Sequence, residues 1–445
     1  MISWQYIENS RLRTNMLSGG FLLCAALLYA FASTPTPEQP GMIHLVIAML
    51  VGASLITAGA PGAIQNIFHS GPRPLWIIFG GIFCAYALII PLPLAMLNGN
   101  PSIAVLRDLT GLFFWLLPVL YLSGDDRFHF ARHLKNFTLL ACLIIGLAFS
   151  VRFLYALYTI TGRLTLAPAH PDIPLELVNM PTVLFSALYL SASALIALQY
   201  KAPKTKLKGL GAAALAIAPV LAGIAALQRA NLGGLAILCM LIVLILTFTR
   251  PLRLFWPLVL IGAAGFVTAP ITPDIISLML EKTRLVGFNM RFEEAQAVFT
   301  HLDHKNTAAL IPPSVTGLGW GASFISPAAG MSEISFTHNF FLTLYLKAGI
   351  AGFFAGGAFI LALVLPLFGI FFSSLRQTSS ADFSKLAYLQ KRMALILSLI
   401  IPVWVNLLLY ATHKSFDFGL LLTLCACLVI RHKRAKNSGY ESPPY

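Results

Sequence analysis

His338 lies in Phe336-Thr337-His338-Asn339-Phe340, where a long polar segment gives way to an apolar run. An imidazole, with an ordinary pKa of about 6.5, suits general-base work at neutral pH. A lone histidine at a helix start is also a common structural hydrogen-bonder. Three arginines fall on the same side of the expected topology. Arg229 stands in Gln228-Arg229-Ala230-Asn231 between two apolar runs, Arg152 lies in the outer third of another with Tyr155 three residues on, and Arg291 heads an amphipathic segment. Cations are costly near lipid and seldom idle there. Guanidiniums gathered at one membrane surface suit a pyrophosphate, gripped through bidentate, charge-assisted hydrogen bonds. The alternative is a set of interfacial anchors whose heads snorkel to lipid phosphates. The pattern leaves both open.

Other chemistries have weaker support. His301 and His304 are three apart and could touch one metal, but two such ligands are a weak signal, and a solvated helix end is the better reading. No carboxylate cluster has metal-ligand spacing, so neither a metal nor a cofactor is expected. Gly317-Leu318-Gly319-Trp320-Gly321 lacks the dinucleotide and P-loop spacings. Its glycines read as permitting tight turns, with a backbone contact to substrate as the alternative. All six cysteines lie in apolar runs and read as small hydrophobes.

The elements that must position these residues are set by composition. Of 445 residues, 58% are hydrophobic and only 10% charged, with a mean hydropathy of +0.81. A soluble domain carries roughly 25% charged residues, so this chain cannot clothe a globular surface and reads as an all-α integral membrane protein. The net charge of +14 is explained by basic residues flanking membrane spans. Membrane lipids are therefore the expected surroundings and nucleic acid is not an expected partner.

Twelve stretches approach the roughly 20 apolar residues that a crossing needs: 17–33, 41–60, 75–97, 103–122, 137–159, 177–199, 208–228, 232–249, 253–270, 339–372, 389–411 and 416–430. With the N-terminus inside, 20 of the 30 basic residues fall in inner segments, 7 in outer ones, and Arg107, Arg152 and Lys347 within spans. That asymmetry predicts twelve crossings with both ends in the cytoplasm. Ala30-Phe31-Ala32 resembles a signal-peptidase site, but an uncleaved first helix is the expectation.

The organisation expected is therefore spans one to nine over 1–270, an outer loop over 271–338, spans ten to twelve over 339–430, and a basic cytoplasmic tail over 431–445. Within the loop, Phe292, Ala295, Phe299 and Leu302 predict an amphipathic helix with Arg291 and Glu294 off the apolar stripe. The run 339–372 is long enough to break near Gly349. Lys347 reads as a structural partner, and adjacent Arg107 and Asp108 must point to different helix faces.

Thr337-His338-Asn339-Phe340-Phe341, followed by Gly349-Ile350-Ala351-Gly352, resembles the re-entry motif of the O-antigen ligase and polymerase superfamily. In that family an arginine-led helix and a glycine-rich stretch precede a His-Asn pair that opens a span. Arg291, the run from Gly317 to Gly321, and His338 occur here in that order, and Arg229 holds the outer turn where the family places another arginine. The likeness covers about 208–375 with recognisable motifs.

The resemblance implies a GT-C-like glycosyltransferase of the bacterial inner membrane, independent of metal, with its active site in the periplasm. Its donor would be a glycan on undecaprenyl pyrophosphate. In the ligase branch the acceptor is a hydroxyl of the lipid A core oligosaccharide. By the same likeness His338 would be the base, and Arg229 and Arg291 would stabilise the leaving pyrophosphate. Arg152, Arg163, Arg284, Trp320 and Asn339 are expected to help bind substrate. A polymerase should carry a second arginine-rich outer loop, but 160–176 is short and holds only Arg163. Ligation is therefore the expectation, with polymerase as the alternative. A transporter of anionic lipid-linked substrates fits less well, because its charges should line a midplane path through repeated, broken helices.

Overall fold

The computed structural model describes residues 2–35, 41–60, 73–123, 127–163, 172–200, 202–249, 289–305, 312–327, 330–378 and 383–437, with isolated positions between 255 and 280. The main helices run α1 (Ile2–Ala32), α2 (Met42–Thr57), α3 (Leu75–Ile89), α4 (Pro91–Leu97), α5 (Ser102–Leu122), α6 (Arg127–Thr161), α7 (Pro181–Leu198), α8 (Pro203–Ala225) and α9 (Arg229–Thr249). Then follow α10 (Asn289–Lys305), strands β1 (Phe324–Ser326) and β2 (Ser332–Ile334), α11 (Phe340–Gln377), α12 (Phe383–Leu408) and α13 (Phe416–Asn437).

Eight helical segments among the described residues are long and apolar enough to cross a bilayer, at 1.5 Å of rise per residue. The chain is a multi-pass membrane protein. Met42–Thr57 and Asn231–Ile245 are shorter apolar helices, and most of the stretch 253–270 lies outside the described residues, as do most of 271–288.

Two compact units are formed, the first from Met1–Ala141, Phe288–Leu367 and Val403–Glu441, the second from Cys142–Gly287, Phe368–Pro402 and Ser442–Tyr445. Tight helix contact in a membrane relies on small residues and interhelical hydrogen bonds. In the first unit, Ser18, Ser54 and Tyr121 join α1, α2 and α5 through hydroxyl contacts of 2.7–3.2 Å. Phe83 stacks against Trp115 and Phe359 at 6.3 and 6.4 Å between ring centroids.

The feature that shapes this unit is the break in α11. Gly349 adopts φ 63°, ψ −167°, and the three carbonyls before it leave the helical ladder. Leu346 O accepts from Leu318 N–H and Lys347 O from Gly319 N–H, both at 3.0 Å. Ala348 O accepts from the Tyr86 hydroxyl at 2.7 Å. Broken helix at membrane depth survives only when protein groups satisfy it, and here the 317–321 loop does so.

That loop is wedged between backbones. Gly317, Gly319 and Gly321 have φ of 79°, 84° and 79°. A Cβ at Gly319 would lie 2.3 Å from Ala95 N, and one at Gly317 2.2 Å from the Lys347 carbonyl carbon. The side-chain amides of Asn98 and Asn100 both donate to Leu318 O at 3.0 Å.

The amphipathic helix is present as α10, but its buried face differs from the predicted stripe. Val298 and Leu302 are buried, whereas Phe292 and Phe299 are exposed. The third member of the inward row is Glu294, at 1% exposure, because i, i+4 and i+8 share a helix face. Val298 and Leu302 pack with Leu318, Ala322, Phe324 and Leu346. The short antiparallel hairpin pairs Phe324 with Ile334 and Ser326 with Ser332.

In the second unit, Gly146 lets α6 approach α7 closely, since a Cβ there would meet Thr182 O at 2.2 Å. Gln199 Nε2 and the Tyr200 hydroxyl both donate to Gln390 Oε1, at 2.7 and 3.0 Å. A tight turn with Leu227 at φ 50° leads into α9.

Candidate functional site

His338 sits at the mouth of α11, held by its neighbours on both sides. Asn339 caps the helix, its Oδ1 accepting from Phe341 N–H at 2.9 Å and Leu342 N–H at 3.2 Å, the usual work of an asparagine at that position. Thr337 pairs with Thr343, hydroxyl to hydroxyl, at 2.9 Å. The imidazole is then fixed from across the unit. Its Nδ1 lies 3.0 Å from Glu294 Oε1 and 3.3 Å from Oε2, and the His338 backbone N–H donates to Oε2 at 3.3 Å.

A buried carboxylate needs such partners. Ser326 Oγ stands 3.5 Å from Oε1, and Arg291 Nη1 lies 3.7 Å from Oε2, one turn along α10. Burial draws the Arg291 guanidinium below its ordinary value, and Glu294 pulls it back; the group remains a cation at neutral pH. With Nδ1 committed to a carboxylate, Nε2 is the nitrogen left to exchange a proton. The His338 side chain is 27% exposed, so a ligand can reach the ring.

Ser335 and Phe336, just before His338, are held by a second set of charges. Asp108, buried in α5, accepts from Lys347 Nζ, from Lys414 Nζ at 2.9 Å, and from Gly321 N–H at 2.7 Å. Lys414 Nζ also reaches Ser335 O at 3.5 Å and lies 5.6 Å from the centre of the Phe336 ring. Arg107 makes no ion pair with its neighbour Asp108 among the described residues, and its Nη2 donates to Ser335 Oγ. Lys347 is thus a structural partner, as expected.

Beside them, His413 is fully buried against Trp115 and Phe340, at centroid distances of 6.0 and 5.6 Å. Its Nδ1 faces Tyr410 O at 3.2 Å. Burial, with nearby Lys414, pulls its pKa down to about 3. It is therefore neutral in the folded protein.

A groove of about 710 Å³ opens between α10 and the hairpin. Glu293, Gln296, His301 and His304 line one wall, and Ile325 and Glu333 the other. Among the described residues no group of three His, Cys, Asp or Glu is placed to hold a metal ion.

Of the residues singled out from the sequence, the first unit brings together His338, Asn339 and, through Glu294, Arg291. Trp320 belongs to the same unit, but it is buried with its indole N–H donating to Ala87 O at 2.8 Å, so it anchors the glycine-rich loop. Arg229, Arg152 and Arg163 belong to the second unit. Arg229 is the first residue of α9, the Arg152 guanidinium lies 5.6 Å from the centre of the Phe149 ring, and Arg163 is exposed just past α6. Arg284 lies outside the described residues. Sequence reasoning assigned no role to Glu294, Arg107, Asp108 or Lys414. The one available signal was the spacing of Glu294 with Val298 and Leu302. No family model matches the sequence, and no curated protein matches it.

Proposed function

We propose that the protein is a membrane glycosyltransferase of the O-antigen ligase and polymerase superfamily, with twelve crossings, a GT-C-like fold and both ends in the cytoplasm. In this reading 271–338 is a periplasmic loop at the bacterial inner membrane. The donor is a glycan on undecaprenyl pyrophosphate and the acceptor a hydroxyl of the lipid A core. The observation that carries the proposal is the Glu294 carboxylate on Nδ1 of a part-exposed histidine, the arrangement that prepares an imidazole for general-base work.

The steps balance as a direct displacement. His338 Nε2 takes the proton of the acceptor hydroxyl as its oxygen bonds to the anomeric carbon. The bond from that carbon to the pyrophosphate oxygen breaks, and the configuration inverts. Glu294 stabilises the imidazolium that forms. Arg291 meets the charge that grows on the leaving pyrophosphate, the largest electrostatic demand of the reaction.

The test is transfer in liposomes, with chelator present, from undecaprenyl-pyrophosphate-linked glycan to rough lipopolysaccharide. Joined product from wild type, lost in His338→Ala, supports the ligase. Lengthened lipid-linked glycan with no lipopolysaccharide product makes the protein a polymerase. No product with authentic substrates refutes glycosyl transfer.

A further inference from the structure

Two lysines of the first unit share one carboxylate, and an arginine stands next to it in sequence. Lys347, fully buried, and Lys414, 11% exposed at its side chain, share Asp108, and Arg107 is the preceding residue. Among the described residues, Asp108 is the only carboxylate that any of the three touches. Lys347 and Asp108 neutralise each other, which leaves two positive charges, on Arg107 and Lys414. Both turn to the same residue, Ser335, one to its hydroxyl and one to its carbonyl. The Arg107 Nε is buried and has no partner. An unpaired buried N–H is costly, and excess charge in an apolar setting costs more. A ligand carrying two negative charges and several acceptor oxygens would relieve both.

We propose that Arg107 and Lys414 form a seat for a diphosphate group, set against Ser335. This deepens the function proposed above and rests on it for the identity of the ligand, a lipid-linked diphosphate ester. Ser335 is three residues from His338, a span of at most about 10 Å even when fully extended. The seat and the base are therefore joined by a short stretch of chain. Arg107 offers the planar fork that matches phosphate oxygens and Lys414 a point charge.

The full chain in nanodiscs of neutral lipid is titrated with inorganic pyrophosphate, with undecaprenyl pyrophosphate and with phosphatidylglycerol, by calorimetry or intrinsic fluorescence. The variants are Arg107→Gln, Lys414→Gln and the charge-preserving Arg107→Lys and Lys414→Arg. Arg107→Gln removes no ion pair seen here and leaves Asp108 with both lysines, so it keeps the comparison valid if Lys414→Gln unfolds. Expected are diphosphate binding by wild type, a loss of about tenfold or more in each glutamine variant, and a loss of threefold or less in the charge-preserving ones.

Affinity for both diphosphates unchanged in Arg107→Gln overturns the proposal, as does failure of wild type to bind either. Tighter binding of phosphatidylglycerol with the same variant sensitivity overturns the diphosphate assignment and makes the seat a lipid-headgroup site. Charge-dependent diphosphate binding without glycosyl transfer would leave the seat standing and remove the transferase reading. Transfer with an unchanged donor KM in Arg107→Gln would do the reverse.

Discussion

The Glu294 carboxylate lies 3.0 Å from Nδ1 of His338 and so ties the helix Asn289–Lys305 to the start of Phe340–Gln377. Glu294→Gln keeps the size of the side chain and removes its charge. An imidazolium forming during turnover would then lack its counter-ion, and the amide could donate where the carboxylate only accepts. Turnover should fall by about 10²-fold, within the range seen when an orienting partner is lost, with kcat reduced and KM for donor nearly unchanged. Glu294→Asp should restore part of the loss. Initial rates of glycan transfer check this; a fall in KM-linked terms alone would mean that Glu294 serves binding and not the base.

Eight of the expected spans were legible because each is a long apolar window, and the break near Gly349 was legible because the run exceeded one crossing. The register of α10 was not. Phe292 and Phe299 look like a buried stripe, yet they are exposed, and Glu294 takes the inward row. A hydrophobic pattern cannot see that a carboxylate has a partner 44 residues away. The same limit hid Asp108. Its separation from Arg107 followed from helix geometry, but its lysines lie 239 and 306 residues along the chain. The glycines of 317–321 were read as turn formers. Positive φ accounts for part of that, and backbone packed against backbone for the rest.

Gly349→Ala should unfold the unit that Gly369→Ala leaves intact. At Gly349 the φ of 63° costs a residue with a Cβ about 1–2 kcal/mol. The new methyl would also lie 2.2 Å from Val315 O, backbone that cannot move without releasing the glycine-rich loop. Together these predict a loss of about 4 kcal/mol or more. Gly369 is helical with nothing within 4 Å of a built Cβ, so alanine there should be neutral or stabilising by up to about 1 kcal/mol. Thermal unfolding of the two variants in one detergent makes the comparison; equal midpoints would contradict it.

His413 predicts a specific acid sensitivity. Folded, its pKa is held near 3; unfolded, it returns to about 6.5. Between those values the unfolded chain binds a proton that the folded one does not, so stability is full above about pH 6.5 and declines as pH falls toward 3. The slope from one such group is at most about 1.4 kcal/mol per pH unit. His413→Gln removes the titrating group and should flatten the dependence. Chemical unfolding of wild type and variant from pH 7.5 to 4.5 checks the difference; parallel curves would show that the ring is protonated in the folded protein.

Asp108→Asn should be far more damaging than removal of the whole pair. It strips the one carboxylate from Lys347, which has no exposure, and from Lys414. An ion pair broken from one side in a buried setting costs about 3–5 kcal/mol. Lys347→Met leaves Asp108 paired with Lys414 at 2.9 Å and should cost less. In the double variant, Asp108→Asn with Lys347→Met, the fully buried lysine is gone and only Lys414, 11% exposed, lacks its counter-ion, so part of the stability should return. A cycle of the four proteins, followed by thermal unfolding, should therefore show a favourable coupling between the two residues of about 2 kcal/mol or more. Additive effects would mean that water reaches Lys347 and that the 317–321 loop is held by its backbone bonds alone.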